Sequence, residues 1–407
     1  MKKLIALALC VCMSASLVAC GSSSSSNESA PSAAPAASEA ASEAASEAEA
    51  PEAGNDTAAA TSDLKIAMVT DSGDITDQSF NQNTYESCKE WAEANGASFT
   101  YYKPEGDSTS DRVAMMERAI EDGYTTLVLP GYLFGEAIVE LADENEDVKF
   151  VGLDISQSDL DGASGEEGYK RDNVFISAYK GEISGYLAGQ AAVKMGYKKL
   201  GFLGGMAVPG PKSFGYGFVQ GADDAAKELG ADVELNYAYA NQFFGDADIT
   251  ASMDTWCQNG TEVIFACGGG VWTSAAEAAA KTDGKIIGVD VDQASTIDGK
   301  FGEGMTITSA LKGLKPTVNT ILNAIAADDW ASYGGTTQTL GLVSTDDLSL
   351  NYVGLADSTV WTDSFTQDDL KTLIKKIYDG EVTVNYDSEA EEPKAETLTL
   401  NYQGNLK

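Results

Sequence analysis

The stretch "VTDSGDITDQSFNQ", Val69 to Gln82, gathers three carboxylates, a bare Phe and an Asn directly behind the apolar run "KIAMV". Carboxylates accept hydrogen bonds from hydroxyls and amines, and a Phe ring offers a flat face for stacking. Asp71, Asp77, Phe80 and Asn81 therefore suit the capture of a small polar molecule with a flat part. The chain contains no His, which removes imidazole acid–base catalysis, His-based triads and His metal ligands together. No closely spaced Asp-rich metal motif appears either, so no catalytic residue, cofactor or metal is expected. Asp and Asn are also good helix caps, which leaves a purely structural alternative for Asp77 and Asn81.

The elements that must position these residues alternate from Lys65 onward: an apolar run, an amphipathic segment, then a Gly-rich turn. Continuous apolar strands between helices indicate parallel sheets covered on both faces. The fold class is therefore α/β, with two doubly wound lobes and a break near Ala178. In such sheets ligands bind outside the carboxyl ends of the strands, where loops lead into helices. That edge should collect "DQSFNQ" together with "LPGYLFG", "GLDIS", "LGGMAVPGP", "ANQFFGD", "ACGGGVW" and "GVDVDQ". The glycine-rich "GYGFVQG", Gly215 to Gly221, does not follow a strand directly and is assigned to packing.

With 407 residues the chain exceeds one ordinary hydrophobic core, and its formal net charge of -37 argues against nucleic acid as a partner. The start, "MKK" followed by "LIALALCVCMSASLVAC", has the charged and apolar parts of a secretory signal. It ends in "LVACG", which resembles a bacterial lipobox and implies cleavage after residue 19, lipid on Cys20 and anchoring on the extracytoplasmic face of the cell membrane. Gly21 to Ser62 carries seven acidic residues and no Lys or Arg, so residues 20–63 read as a mobile acidic tether. The remaining Cys88, Cys257 and Cys267 lie in apolar segments and read as buried thiols.

Five ordered motifs, "VTDSGDITDQSFNQ", "FGYGFVQGA", "GTEVIFACGGG", "IIGVDVDQ" and "ITSALKG", together resemble the basic membrane protein family over about Lys65 to Leu342. The resemblance implies a substrate-binding lipoprotein of an ABC importer, a monomer that captures a purine nucleoside and works with a membrane permease. It also implies the type I periplasmic-binding-protein fold, two lobes joined by a hinge. Its expected division places residues 64–178 with about 308–336 in one lobe and 179–307 with about 337–407 in the other. By the family's motifs, Phe80 stacks on the base and Asn81 contacts the nucleoside. Phe244, in an F-x-D pattern with Asp246, covers the second base face, with the adjacent Phe243 as the alternative. Asp290 and Lys312 hold the ribose hydroxyls, Asp154 serves the base region, and Gly268 and Gly269 let backbone approach the ligand. The loop here adds Trp272, whose bulk is expected to bear on the pocket near the ribose. Asp71, Asp77, Asp154 and Asp290 against one Lys favour an uncharged nucleoside over a nucleotide. A sugar-like ligand, or a sensory rather than an import role, is the alternative reading.

Overall fold

The computed structural model describes residues 62–407. The expected leader, the Cys20 expected to carry lipid and all but the end of the expected tether lie outside the described residues. The strands in chain order are β1 (Lys65–Val69), β2 (Ser98–Tyr102), β3 (Thr126–Pro130), β4 (Lys149–Leu153) and β5 (Val174–Tyr179). They continue with β6 (Lys199–Gly204), β7 (Glu234–Tyr239), β8 (Val263–Cys267), β9 (Lys285–Asp290), β10 (Thr306–Lys312), β11 (Thr336–Leu340), β12 (Val353–Leu355) and β13 (Thr399–Asn405).

These strands form two sheets, ordered β11-β5-β4-β3-β1-β2 and β12-β10-β9-β8-β6-β7-β13. All pairings are parallel except that of β12 with β10. Helices cover both faces of each sheet, which is why strands such as "TLVLP" and "VIFAC" are buried along their whole length. Apolar side chains accordingly collect in four clusters, two per sheet. Among the described residues, no helix is long and apolar enough to cross a membrane.

The chain passes between the sheets after β5, after β10 and after β11. The expected division near Ala178 falls within β5, and the next helix, Gly181–Lys194, packs on the second sheet. The expected return to the first lobe at residue 308 is displaced. β10 belongs to the second sheet, and only the following helix, Leu314–Ala326, joins the first-sheet core through Leu314, Val318, Ile321 and Leu322. β11 then pairs with β5, so the first-sheet portion runs on to Leu340 rather than ending at 336. The C-terminal segment adds β13 beside β7, pinned where the Asp223 carboxylate accepts the N–H groups of Glu396, Thr397 and Leu398.

"GYGFVQG" is a packing seam. A Cβ on Gly217 would lie 1.9 Å from the Glu182 carbonyl oxygen, and one on Gly221 would lie 2.1 Å from that of Tyr186. The seam brings the helix Pro209–Leu229 against Gly181–Lys194, with Gly185 and Gly189 making the reciprocal approach. Cys88, Cys257 and Cys267 are buried free thiols.

Candidate functional site

Each sheet reverses its strand order once, between β1 and β3 and between β6 and β8. Crevices form at such reversals because the neighbouring loops diverge to opposite faces. The loops that leave these strands border one cleft with about 660 Å³ of free space, part of it open to solvent. Asp71, Asp77, Phe80 and Asn81 enter from the β1 loop, and Gly131, Tyr132 and Leu133 from the β3 loop. From the second sheet come Val208, Gly210 and Pro211 after β6, Phe243 after β7, and Gly268 and Gly269 after β8. Asp154, Asp290 and Lys312 sit at the ends of β4, β9 and β10.

The β1 loop is organised around carboxylates. Asp77 Oδ1 accepts the N–H groups of Ser79 and Gln82 at 2.8 and 3.1 Å, and Oδ2 accepts that of Asn81 at 3.0 Å. These are otherwise orphan donors at the start of the helix Phe80–Asn95, so Asp77 caps it while bordering the cleft. Asp71 Oδ1 accepts the Gly73 N–H at 2.8 Å and the Asn81 amide at 2.9 Å. The same Asn81 Nδ2 also donates to Asp77 Oδ2 at 3.3 Å. With its nitrogen held between two carboxylates, the Asn81 amide can face only one way. Its Oδ1 is buried without a hydrogen-bond partner in a side chain 3 % exposed. Burial pushes the Asp77 carboxyl up to about 6 against the pull of its N–H donors. Burial likewise raises Asp71, opposed by the Gly73 N–H, the Asn81 amide and the Arg112 charge.

A second charged group lies across the cleft. Lys312 Nζ is 2.6 Å from Asp154 Oδ2 and 3.8 Å from Asp290 Oδ1. Burial works against the charged Lys312, but the two carboxylates outweigh it and its pKa rises. Burial also raises Asp290, offset by Lys312 and by the Ser79 hydroxyl, which donates to Asp290 Oδ2 at 2.5 Å. Asp154 and Asp290 both adopt left-handed backbone, at φ 60 and 65. Such conformations cost energy in a non-glycine residue, with Asp among the most tolerant, and they turn both carboxylates off the strand ends into the cleft. The Lys312 ammonium also lies 4.9 Å from the Phe80 ring centroid and 5.3 Å from that of Phe214.

The aromatic wall corrects one expectation. Phe244 is 61 % exposed and does not border the cleft, whereas Phe243 does. Its ring rests on backbone that only glycine permits: a Cβ on Gly205 would lie 2.5 Å from Phe243 Cδ1, and one on Gly268 3.2 Å away. Asp246, the partner expected in the F-x-D pattern, instead caps the helix Ala247–Gln258, accepting the N–H groups of Asp248 and Ile249. Trp272 is also outside the cleft. It is buried, with its indole N–H donating to the Asp77 carbonyl oxygen at 3.3 Å. Of the other expected residues, Asp71, Asp77, Phe80, Asn81, Asp154, Gly268, Gly269, Asp290 and Lys312 all border the cleft. Tyr132, Phe214 and Ser79 were not singled out from the sequence. The first two belong to strand-end or helix-start segments, and Ser79 directly precedes Phe80. Among the described residues, no group of three or more Cys, Asp or Glu is placed to hold a metal ion.

Two sheets of this kind facing across a cleft lined by carboxylates and aromatic rings define a solute-binding protein of the type I periplasmic-binding fold. A solved ABC transporter solute-binding protein from Conexibacter woesei superposes with a TM-score of 0.61 at 22% identity, covering 79% of this chain and 99% of that one. The chain belongs to the family described as ABC transporter substrate-binding protein PnrA-like, whose family model matches residues 64–388. It is 30% identical over 349 residues to the ABC transporter nucleoside-binding protein BmpA of Lactococcus lactis, covering 82% of this chain and 92% of that protein. It is 26% identical to Basic membrane protein B of Borreliella burgdorferi over 71% of this chain and 81% of the relative. The protein is thus an ABC transporter substrate-binding protein of this family.

Proposed function

We propose that this substrate-binding protein captures a purine nucleoside, acts as a monomer anchored through lipid on Cys20 outside the cell membrane, and delivers its ligand to an ABC permease. The portions built on the two sheets act as lobes that close over the ligand, and the chain performs no chemistry of its own. The observation that carries the ligand reading is the buried Asn81 Oδ1, an acceptor without a partner inside a cleft bordered by Phe80 and Phe243. A purine base with N–H donors satisfies that acceptor and presents two faces for stacking. Each base–aromatic stack contributes about 1–3 kcal/mol. Asp290 and Lys312 supply an acceptor and a donor for ribose hydroxyls, and Asp154, paired with Lys312, adds an acceptor for the base region. The carboxylates disfavour phosphate, which separates a nucleoside from a nucleotide. The nucleoside-binding relative from Lactococcus lactis supports the same ligand class.

Calorimetric titration tests this with the chain from Gly21 onward, unfolded and refolded to strip bound ligand. The panel is adenosine, guanosine, inosine, uridine, cytidine and ribose. Saturable heat with purine nucleosides and none with ribose is the expected result. Silence across the panel refutes the nucleoside assignment and leaves the family membership intact.

A further inference from the structure

The segment Asp77–Gln78–Ser79 is gripped from the second-sheet side by side chains that do not border the cleft. The Trp272 indole N–H donates to the Asp77 carbonyl at 3.3 Å. Gln293 Nε2 donates to the Gln78 carbonyl at 2.8 Å, and the Thr296 hydroxyl donates to Gln78 Oε1 at 3.3 Å. None of Trp272, Gln293 and Thr296 lines the cleft.

Both sides of this contact are braced. Gln293 is 1 % exposed, its Oε1 accepts the Val289 N–H at 2.9 Å, and its own N–H donates to Ser309 Oγ at 3.1 Å, which fixes which end of its amide faces Gln78. Opposite it, Gln78 sits in left-handed backbone at φ 57. Its N–H and Nε2 both donate to Gln82 Oε1, at 3.0 and 2.6 Å, leaving Gln78 Oε1 free for Thr296. Gln82 Nε2 in turn donates to Glu86, so a chain of oriented amides ends on a carboxylate. A non-glycine residue holds this backbone only where its surroundings over-determine it. Phe80 and Asn81 follow immediately in the chain, with the Asn81 amide oriented separately by the Asp71 carboxylate.

We infer that Trp272, Gln293 and Thr296 are positioning residues that form a latch between the lobes and set ligand affinity by favouring the closed arrangement. This rests on the lobe-closure reading but not on the ligand being a nucleoside. A latch of this kind contributes the same factor to every ligand the cleft accepts, because it touches none of them. It acts on escape rather than encounter, since the latch bonds form after the ligand has entered.

The double variant Trp272→Phe/Thr296→Val removes two donors; Thr296→Val keeps the side-chain volume, whereas Trp272→Phe keeps an aromatic side chain but a smaller one in a buried place. Thr296→Val alone is the milder companion. Stopped-flow kinetics with guanosine and adenosine, and pulsed-EPR distances between a spin label on each lobe, are measured with and without nucleoside. The latch predicts dissociation faster by about tenfold, association within about twofold, the same factor for both nucleosides, and a smaller closed component. The single variant should show a smaller change in the same direction, and both should keep the wild-type thermal midpoint within a few degrees. An unchanged dissociation rate and closed component overturns the latch, as does a wild type with no closed component in any condition. If the wild type binds no nucleoside yet its ligand-free closed component shrinks in the variant, the nucleoside reading fails and the latch stands.

Discussion

Replacing Asn81 with Leu isolates what the buried amide does. Leu keeps an unbranched Cβ and a similar bulk but can neither accept from the ligand nor donate to Asp71 and Asp77, which the native Nδ2 reaches at 2.9 and 3.3 Å. If Asn81 Oδ1 meets a ligand N–H, the variant buries that donor against a methyl group. An unsatisfied buried donor costs about 1–3 kcal/mol. At 1.4 kcal/mol per decade, the dissociation constant should rise about 5- to 150-fold. Nucleosides differ in the N–H groups on the base edge, so the loss should differ among them, and ribose-level contacts should be untouched. Stability should change as well, because two carboxylates lose a charged hydrogen bond each. Burial already raises the pKa of both Asp71 and Asp77, and losing the amide raises them further. The variant should therefore recover stability on acidification more steeply than the wild type. Titration calorimetry at pH 7.5, alongside thermal unfolding, separates the two effects. A folded Leu variant with unchanged affinity for every purine nucleoside would refute the assignment of Asn81 to ligand recognition.

Phe243→Ala should weaken purine-nucleoside binding about 10- to 100-fold by removing one stacking face, whereas Phe244→Ala should stay within about twofold; equal losses in the two variants would contradict the exposed placement of Phe244. The Asp77 carboxyl, pushed up to about 6, gives a pH signature in the ligand-free protein. Its folded pKa exceeds its ordinary value of 3.8, so its contribution to stability is fully present below pH 3.8 and is lost as pH rises through about 6. The difference in denaturation free energy between wild type and Asp77→Asn should fall across that window with a slope of at most about 1.4 kcal/mol per pH unit. A flat difference would show that Asp77 ionises in the folded protein as it does in the unfolded chain.

Much of the fold and the site was legible in the sequence, and for a local reason. Strands such as "KIAMV", "TTLVLP" and "EVIFAC" are continuously apolar after their first residues because helices cover both faces, and their alternation with amphipathic segments marks a parallel sheet. Loops at the carboxyl ends of such strands share one edge, which collected the loops carrying Asp71, Asp77, Phe80, Asn81, Asp154 and Asp290, while the roles of Asp154 and Asp290 and the placing of Lys312 came from the family resemblance. The packing role of "GYGFVQG" was legible too, because a glycine-rich stretch that does not directly follow a strand lacks the setting of a nucleotide loop.

What the tertiary structure alone decided concerns neighbours far apart in sequence. Phe243 and Phe244 are chemically identical, and only the tertiary structure shows that the Phe243 ring, packed on the backbone of Gly205 and Gly268, is the one at the cleft. β10, "TITSALK", carries no pattern that assigns it to one sheet, and its pairing with β9 placed it in the second. Asp246 and Asp77 have the residue type of ligand contacts, yet backbone N–H groups claim the carboxylate of each. Trp272 looked like pocket bulk but reaches the Asp77 carbonyl 195 residues away. Sequence periodicity records which face of an element is buried; it carries no information about which loop across the cleft a buried donor will meet.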